Sequence, residues 1–558
     1  MPLSPTVRGG GKAEPSHAPC NSADAEVPGN SLVTVIFCGS ASVGKYIIAH
    51  DVGTSRSKAV LVDAEGRIHG SCAESFRVNH PHPDWAEQEP QDWWNAVTRS
   101  TRLLLEQTGI SPSDVLCLTF ATQMLGIVPM DAAGAPLRPA IIWLDNRAGR
   151  QAERMMRRFI SARVFALIAG TPLCGKDGMP KLLWLKEEEP DIYRRMHHFL
   201  DVAGYLIYRS TGTAVMELSG ASVFGLDLKQ KTWLNGIFRY IGLDPAKFPP
   251  LVRSTDQVGV LSSEAAAEYG LLQGTPVIAG AGDAAAAAVG SGAVGEGDGH
   301  VYLGTSGWVG VVTERRPRGR CGAATIQSAD PGKTFLYAET ETAGACLQWM
   351  ADQLYESEDS ANVFAVMDDQ VTRIPPGAGS LIFTPWMFGE RAPIADCNVR
   401  ASFLNLSAEH TRENMLRAVY EGVAYNIRWI VEIFEKPYRF PLPRLRVIGG
   451  GAKSAPWMHI LADVTHRTVE TVRDPQEGGA VGAALIAAVG LGIYPDFEAL
   501  KRVVGVDQVV EPREENREVY DSLYQTYRDA YTSLRGFYKR LNQTRRDPTC
   551  SCKETSTR

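Results

Sequence analysis

Two aspartates and a repeated Gly-Thr-Ser turn are the residues of this chain best suited to chemistry. Asp51 lies in the apolar run Tyr46-Ile-Ile-Ala-His-Asp51-Val, which leads into Gly53, Thr54 and Ser55. The same tripeptide recurs as Gly304, Thr305 and Ser306 after His300-Val-Tyr-Leu303, 251 residues further on. Strand, tight glycine–hydroxyl turn, strand is a hairpin that points backbone N–H groups and a hydroxyl outward, and such a turn can hold a phosphate. A carboxylate at the base of one hairpin can hold Mg²⁺ through water while the amides meet phosphate oxygens, so Asp51 is the candidate metal ligand. Its plain alternative is an Asp in a β-turn. Two such hairpins facing each other would suit a nucleotide-driven enzyme.

Asp283 stands in Ile278-Ala-Gly-Ala-Gly-Asp283-Ala-Ala-Ala-Ala-Ala288, between a buried strand and an alanine-rich helix. The glycines before it let backbone and ligand approach closely, and the small residues after it leave the carboxylate reachable. Phosphoryl transfer to an alcohol needs a carboxylate to take the hydroxyl proton, and Asp283 is the candidate general base. The structural alternative, or addition, is a helix N-cap. Gly449, Gly450 and Gly451, with Ala452, Lys453 and Ser454, follow a strand and precede a helix, a turn that favours flat or anionic ligands. Glu477-Gly-Gly-Ala-Val-Gly could wall the same pocket. Gly39 to Lys45 matches a P-loop as far as the lysine, but Tyr46 replaces the Ser or Thr that magnesium needs, and strand follows where a helix should.

These residues need strands and helices to position them. The spacing predicts a three-strand meander over 46–75, a helix over 90–105, strands at 117–121, 127–130 and 275–280, and helices at 147–160, 181–185 and 263–269. The second half repeats the order: a hairpin near 301–313, helices at 341–354, 408–435, 455–465 and 480–489, and strands at 380–384 and 445–449. Alternating strands and helices imply layered α/β domains, and the glycine-rich stretch 290–299 is the expected boundary. The organisation read from this is a disordered extension over 1–45, domains over 46–290 and 291–545, and a polar tail over 546–558.

At 558 residues, 44% hydrophobic and 22% charged, the chain reads as an ordinary globular protein too long for one core. A net charge of −6 gives no pull toward nucleic acid or anionic membrane. The ten cysteines include no CxxC pair, which fits a reducing cytosol. No apolar run is long enough to span a bilayer, and no secretory signal pattern opens the chain, so the expected location is cytoplasmic.

Together these segments resemble the FGGY family of carbohydrate kinases, from about Tyr46 to about Tyr538. The match includes Asp51 with Gly53, Thr54 and Ser55, the Gly282-Asp283-Ala-Ala stretch, and Leu303-Gly-Thr-Ser. It also includes Gly389-Glu-Arg-Ala-Pro393 with Asp396 and Arg400, the Gly449–Ser454 loop, and Trp85-Ala-Glu-Gln-Glu-Pro90. The resemblance implies two RNase-H-like halves of the actin and hexokinase type around a central cleft. It implies ATP and Mg²⁺ as cofactors, a small-molecule sugar or polyol as substrate, and dimerisation, which is common in the family. Asp283 would be the base and Asp51 the magnesium residue. Gly53, Thr54, Ser55, Gly304 and Thr305 would hold phosphates, and Gly450, Gly451 and Lys453 would face adenosine.

Within the family the chain is most similar to xylulokinases. Ala121-Thr-Gln123-Met124 and the segment from Leu137 to Arg147 resemble the lining of the sugar pocket, making Gln123, Met124, Asp145, Arg147 and Trp85 the substrate-side candidates. The alternative for Asp145 and Arg147 is a local ion pair; for Met124, packing; for Trp85, anchoring its loop to a helix. Two positions depart from xylulokinases: Leu125 replaces a His and Ala284 an Asn, each removing a hydrogen-bonding partner for sugar hydroxyls. The phosphate chemistry transfers; the identity of the sugar does not. Rival readings are a non-catalytic sugar or nucleotide sensor on the same fold, and an actin- or chaperone-like ATPase, against which the sugar-side segment 121–147 argues.

Overall fold

The computed structural model describes residues 45–159, 173–355 and 362–543. Two seven-stranded mixed sheets organise them. In the first, β1 (Tyr46–Val52), β2 (Arg56–Asp63) and β3 (Ile68–Ser75) form the expected antiparallel meander. β1 also runs parallel to β4 (Val115–Thr122), whose far side takes β6 (Pro276–Ile278) and the two-residue β7 (Ala281–Gly282). β5 (Gln257–Val260) closes that edge by pairing with β6. β1 is buried along most of its length, whereas β3 alternates between partly buried and exposed residues, as an edge strand with one wet face should.

The second sheet repeats the plan. β8 (Gly299–Leu303) and β9 (Gly307–Thr313) make a hairpin, continued by β11 (Thr334–Thr340) and β10 (Ala323–Gln327). β8 runs parallel to β12 (Arg444–Ile448), followed by β13 (Thr468–Val472) and β14 (Val506–Val510). Each sheet thus places its Gly-Thr-Ser turn on the strand that also has a parallel neighbour.

Of the helices that matter here, α1 (Pro90–Thr108) covers the first sheet and α2 (Gly178–Glu188) follows later in that half. α3 (Asp283–Gly290) and α7 (Gly478–Gly490) pack on each other between strands of the two sheets, in a core that includes Ile47, Ala285, Ile448 and Ala483. A Cβ on Gly482 would lie 1.9 Å from the Ala286 carbonyl, and one on Gly290 1.8 Å from that of Gly478. Only small residues allow such contact of backbone on backbone, which explains the alanine- and glycine-rich composition of both helices.

Three helices begin later than the spacing predicts. α4 (Gly344–Leu354) cannot start at 341 because β11 runs through Thr340. α5 (Arg412–Glu435) starts after Thr411, whose N–H is taken by the Asn414 side chain. α6 (Ala455–Thr465) has the expected bounds, with the Ser454 hydroxyl accepting from Trp457 N–H. The helix expected over 147–160 is seen as Gly149–Arg158, its last expected residue lying outside the described ones. The expected extension as far as residue 44, including residues 39–44 of the P-loop-like stretch, and the tail also lie outside them. After Lys45 comes β1, so no helix follows that lysine. Among the described residues no helix is long and apolar enough to cross a membrane.

Candidate active site

Strand register alone brings the candidate residues together. β1 and β4 pair Asp51 with Ala121 and Val52 with Thr122, while β7 pairs Ala281 with Ala121 and Gly282 with Thr122. The next residue on each strand is Gly53, Gln123 and Asp283. They leave the carboxyl ends of three neighbouring strands, where open α/β sheets bind ligands. In the second sheet Tyr302 pairs with Ile448, so Gly304 and Gly450 leave side by side. Gly449 has φ +93, and a Cβ there would lie 2.5 Å from the Leu303 carbonyl, so that turn needs a glycine.

The first turn is closed by Gly53 N–H donating to the Arg56 carbonyl at 3.0 Å. The Thr54 hydroxyl accepts from the Trp143 indole at 2.9 Å and the Thr54 carbonyl from the Gln88 amide at 2.7 Å. Ser55 is exposed. The second turn is braced by α4: Gly344 N–H donates to the Gly304 carbonyl at 2.8 Å and Ala343 N–H to that of Thr305 at 3.0 Å. Thr305, Gly450 and Lys453 are exposed, and Gly451 is partly buried.

Asp51 sits between the two halves. A Cβ on Gly479, near the start of α7, would come within 2.8 Å of its Oδ2. Its carboxylate has no ion pair or hydrogen bond among the described residues. Burial raises its pKa, opposed mainly by the Lys58 charge. Lys58 in turn donates to the Gln476 carbonyl at 2.7 Å and pairs with Glu477 at 3.4 Å, which ties the first sheet to the start of α7.

Asp283 is not the cap of its helix. Gly282 holds that position, and Asp283 is the first helical residue, its Oδ1 accepting Ala284 N–H at 2.8 Å. As a residue Asp283 is partly buried. Burial, with the negative charges of Asp51 and then Glu339, raises it to about 7. A carboxyl poised there can both take and release a proton near neutral pH.

Several residues that hold this arrangement escaped sequence reasoning. Gly282 N–H donates to the Ser219 hydroxyl at 2.9 Å, and Ser219 donates to the buried Glu217, which also takes the Ser254 hydroxyl at 2.6 Å. This chain fixes the residue before Asp283. From the second half, Arg391 pairs with Glu339 and, at 3.2 Å, with Glu341; Lys176 of the first half reaches Glu341 at 3.8 Å. None follows a motif with readable spacing, and only Arg391 falls inside a quoted one.

The substrate-side candidates separate into two groups. Gln123 is 2% exposed; its amide donates to Gln88 at 2.9 Å, and its Oε1 is buried with no partner among the described residues. Met124 is buried against Gly282. Asp145 and Arg147 are a buried pair rather than a surface one, both side chains 0% exposed, bonded at 2.7 Å. Asp145 also takes Ala86 N–H at 2.6 Å, and Arg147 bonds Glu87 at 2.7 Å. The Arg147 guanidinium lies 3.7 Å over the Trp85 ring, which meets Trp184 of α2 edge-on. Trp85 therefore anchors to α2 through Arg147. Breaking such a buried pair from one side costs about 3–5 kcal/mol. Leu125 occupies its position with φ +63, its carbonyl 3.4 Å from the ammonium of Lys181, which also donates to the Ile142 carbonyl at 2.7 Å.

Comparison with known proteins agrees with this layout. Residues 46–290 match the N-terminal domain of the FGGY family of carbohydrate kinases, and residues 299–491 its C-terminal domain. A xylulose kinase of Staphylococcus epidermidis is 31% identical over 492 residues, covering 88% of this chain and 97% of that protein. A gluconokinase of Bacillus licheniformis is 27% identical over 514 residues, covering 89% and 97%. The crystal structure of a ligand-bound xylulose kinase from Lactobacillus acidophilus superposes with a TM-score of 0.81 at 24% identity, covering 89% of this chain and all of that one, a likeness of fold. Two sheets with one plan, a glycine turn on each, and family matches across both halves lead to one conclusion: this chain belongs to the FGGY family of carbohydrate kinases, phosphotransferases that act on a hydroxyl acceptor.

Proposed function

We propose that the chain transfers the γ-phosphoryl group of ATP to a hydroxyl of a small sugar or polyol, with Asp283 as the general base. The observation that carries this is the position of Asp283: at the carboxyl end of the first sheet, one strand from the Gly53 turn, with its carboxyl raised to about 7. The ionised carboxylate takes the proton of the attacking hydroxyl, whose oxygen bonds to phosphorus as ADP leaves; such a base contributes about 10²–10⁴-fold. Ser219 and Glu217 hold the strand end that presents it.

The amides and hydroxyls of Gly53, Thr54, Ser55, Gly304 and Thr305 meet the phosphates, and Gly450, Gly451 and Lys453 face the adenosine. Asp51 fits Mg²⁺: its carboxylate is unshared, and no group of three ligating side chains that could hold an ion occurs among the described residues. That suits an ion which keeps its waters and takes phosphate oxygens, and which supplies neutralisation of phosphate charge when bound. The halves 46–290 and 291–545 act as two domains whose closure excludes water. Lys58–Glu477 and Lys176–Glu341 are the ion pairs that would feel it. The family supports a cytoplasmic enzyme acting on a small molecule.

The relatives include xylulose kinases and gluconokinases, so the acceptor panel is ketopentoses, ketohexoses, aldonates and simple polyols, read by ADP release with Mg²⁺ and ATP. One class raising the rate well above water-driven hydrolysis is the expected result. A flat panel with tight ATP binding favours a sensor on the same fold.

A further inference from the structure

Gln88 is 0% exposed and makes four hydrogen bonds that leave its amide one orientation. The Trp93 indole N–H, which can only donate, points at one side-chain atom of Gln88 at 3.1 Å, so that atom is the oxygen. The other atom faces the carbonyls of Thr54 at 2.7 Å and Arg77 at 3.3 Å, which can only accept, so it is the nitrogen. Both sides give the same answer, and the amide cannot flip. Its oxygen also meets the side chain of Gln123 at 2.9 Å, which obliges Gln123 to present its NH₂ there. The Gln123 Oε1 is thereby turned away from Gln88, buried and unpartnered, one residue beyond the Thr122–Gly282 strand pair that leads to Asp283.

We propose that Gln88 is a positioning residue that locks Gln123 with its carbonyl oxygen as an open acceptor for one hydroxyl of the substrate. The indole of Trp93 sets the orientation, Gln88 passes it on, and Gln123 reads the substrate. The group that meets Gln123 must donate, so this subsite takes a neutral hydroxyl and rejects a carboxylate or an ether oxygen. Through the Thr54 carbonyl the same amide also ties the subsite to the first glycine turn. This inference rests on the sugar-kinase reading, and deepens it by assigning the hydrogen-bonding sense of one subsite.

The test is a substrate–enzyme cycle. The best acceptor of the wild type is compared with its deoxy and fluorodeoxy analogues, one hydroxyl at a time, on wild type, Gln123→Leu, Gln88→Met and Gln88→Glu. One hydroxyl is expected whose deletion lowers kcat/KM of the wild type by about tenfold or more. Fluorine at that carbon gives the same loss, because C–F cannot donate. In Gln123→Leu and in Gln88→Met the same deletion costs less than about threefold, since the acceptor is gone or free to turn. Gln88→Met has nothing to orient the amide. Gln88→Glu still accepts from Trp93 and from Gln123, so it keeps Gln123 locked and the deletion costs it as much as the wild type, although its second oxygen faces the Thr54 and Arg77 carbonyls; a folding failure of one variant leaves the other to decide. If deletion at every position costs Gln88→Met as much as the wild type, or if a folded Gln88→Glu loses the discrimination, the role of Gln88 is wrong. If the fluoro analogue keeps wild-type kcat/KM, the subsite donates and the orientation is wrong. A wild type that phosphorylates no acceptor overturns the kinase reading itself, a result distinct from either.

Discussion

The two Gly-Thr-Ser hairpins occupy equivalent places in their sheets, yet they are built for different work. Counting back from each glycine, Asp51 in the first hairpin corresponds to Tyr302 in the second. Asp51 is an unshared carboxylate facing the start of α7. Tyr302 is an aromatic plate stacked on Trp308 at 3.9 Å, its phenol pushed far above the usual range by burial and by Asp51 and Asp283. The first hairpin is braced at Thr54 by two side chains, Trp143 and Gln88, besides its backbone bonds. The second is held by backbone, through the opening amides of α4. A duplicated plan therefore leaves charge on one side only, which suits one metal-bearing turn and one that offers amides.

The largest expected effect falls on that asymmetry. Asp51→Asn should lower kcat by about 100-fold or more, whereas Tyr302→Phe should change it by less than about threefold. Steady-state ADP formation over a range of Mg²⁺ concentrations measures both, and equal losses would erase the distinction between the turns. Next comes the helix pair that joins the halves. Gly482→Ala drives a methyl toward the Ala286 carbonyl and should cost about 1–3 kcal/mol, seen as a lower denaturation midpoint. A smaller contrast lies in the turn glycines themselves. A Cβ on Gly304 would meet the Tyr302 ring at 2.4 Å, while one on Gly53 has its nearest neighbour at 3.6 Å. Gly304→Ala should cost about 1 kcal/mol and Gly53→Ala less than half that by the same assay.

The smallest effect is electrostatic. In the proposed role Asp283 acts as a base when ionised, and burial with neighbouring negative charge raises its carboxyl to about 7, so kcat/KM should fall as pH drops through about 7. Glu339 is the last and weakest of the charges that raise it. Glu339→Gln should move the acid limb down by a few tenths of a pH unit, and a shift upward would show that the coupling has the wrong sign.

The reach of the sequence varied along the chain. The meander, the hairpins and the alanine helix were legible because apolar runs, glycine turns and small-residue helices have local causes. Asp51 and Asp283 were legible because each sits at a strand end beside glycines. The buried setting of Asp145 and Arg147 was not, since a charged pair two residues apart looks the same whether water or Trp85 lies over it. Nor was the capping of α3: Gly282 and Asp283 are both good caps, and the strand pairing of Gly282 with Thr122 decided between them. Gln88 reaches Thr54 and Gln123, Glu217 reaches Ser254, and Ser219 reaches Gly282 across 34 to 63 residues, and no spacing rule reaches so far.

The most direct test of the account is Asp283→Asn beside wild type, with ATP binding and ADP formation measured on the same preparations. The account predicts nucleotide affinity within about threefold of wild type and acceptor-dependent turnover reduced by about 100-fold or more, with the acid limb near pH 7 gone. Turnover retained at wild-type levels, with the limb intact, would contradict the assignment of Asp283 as the base.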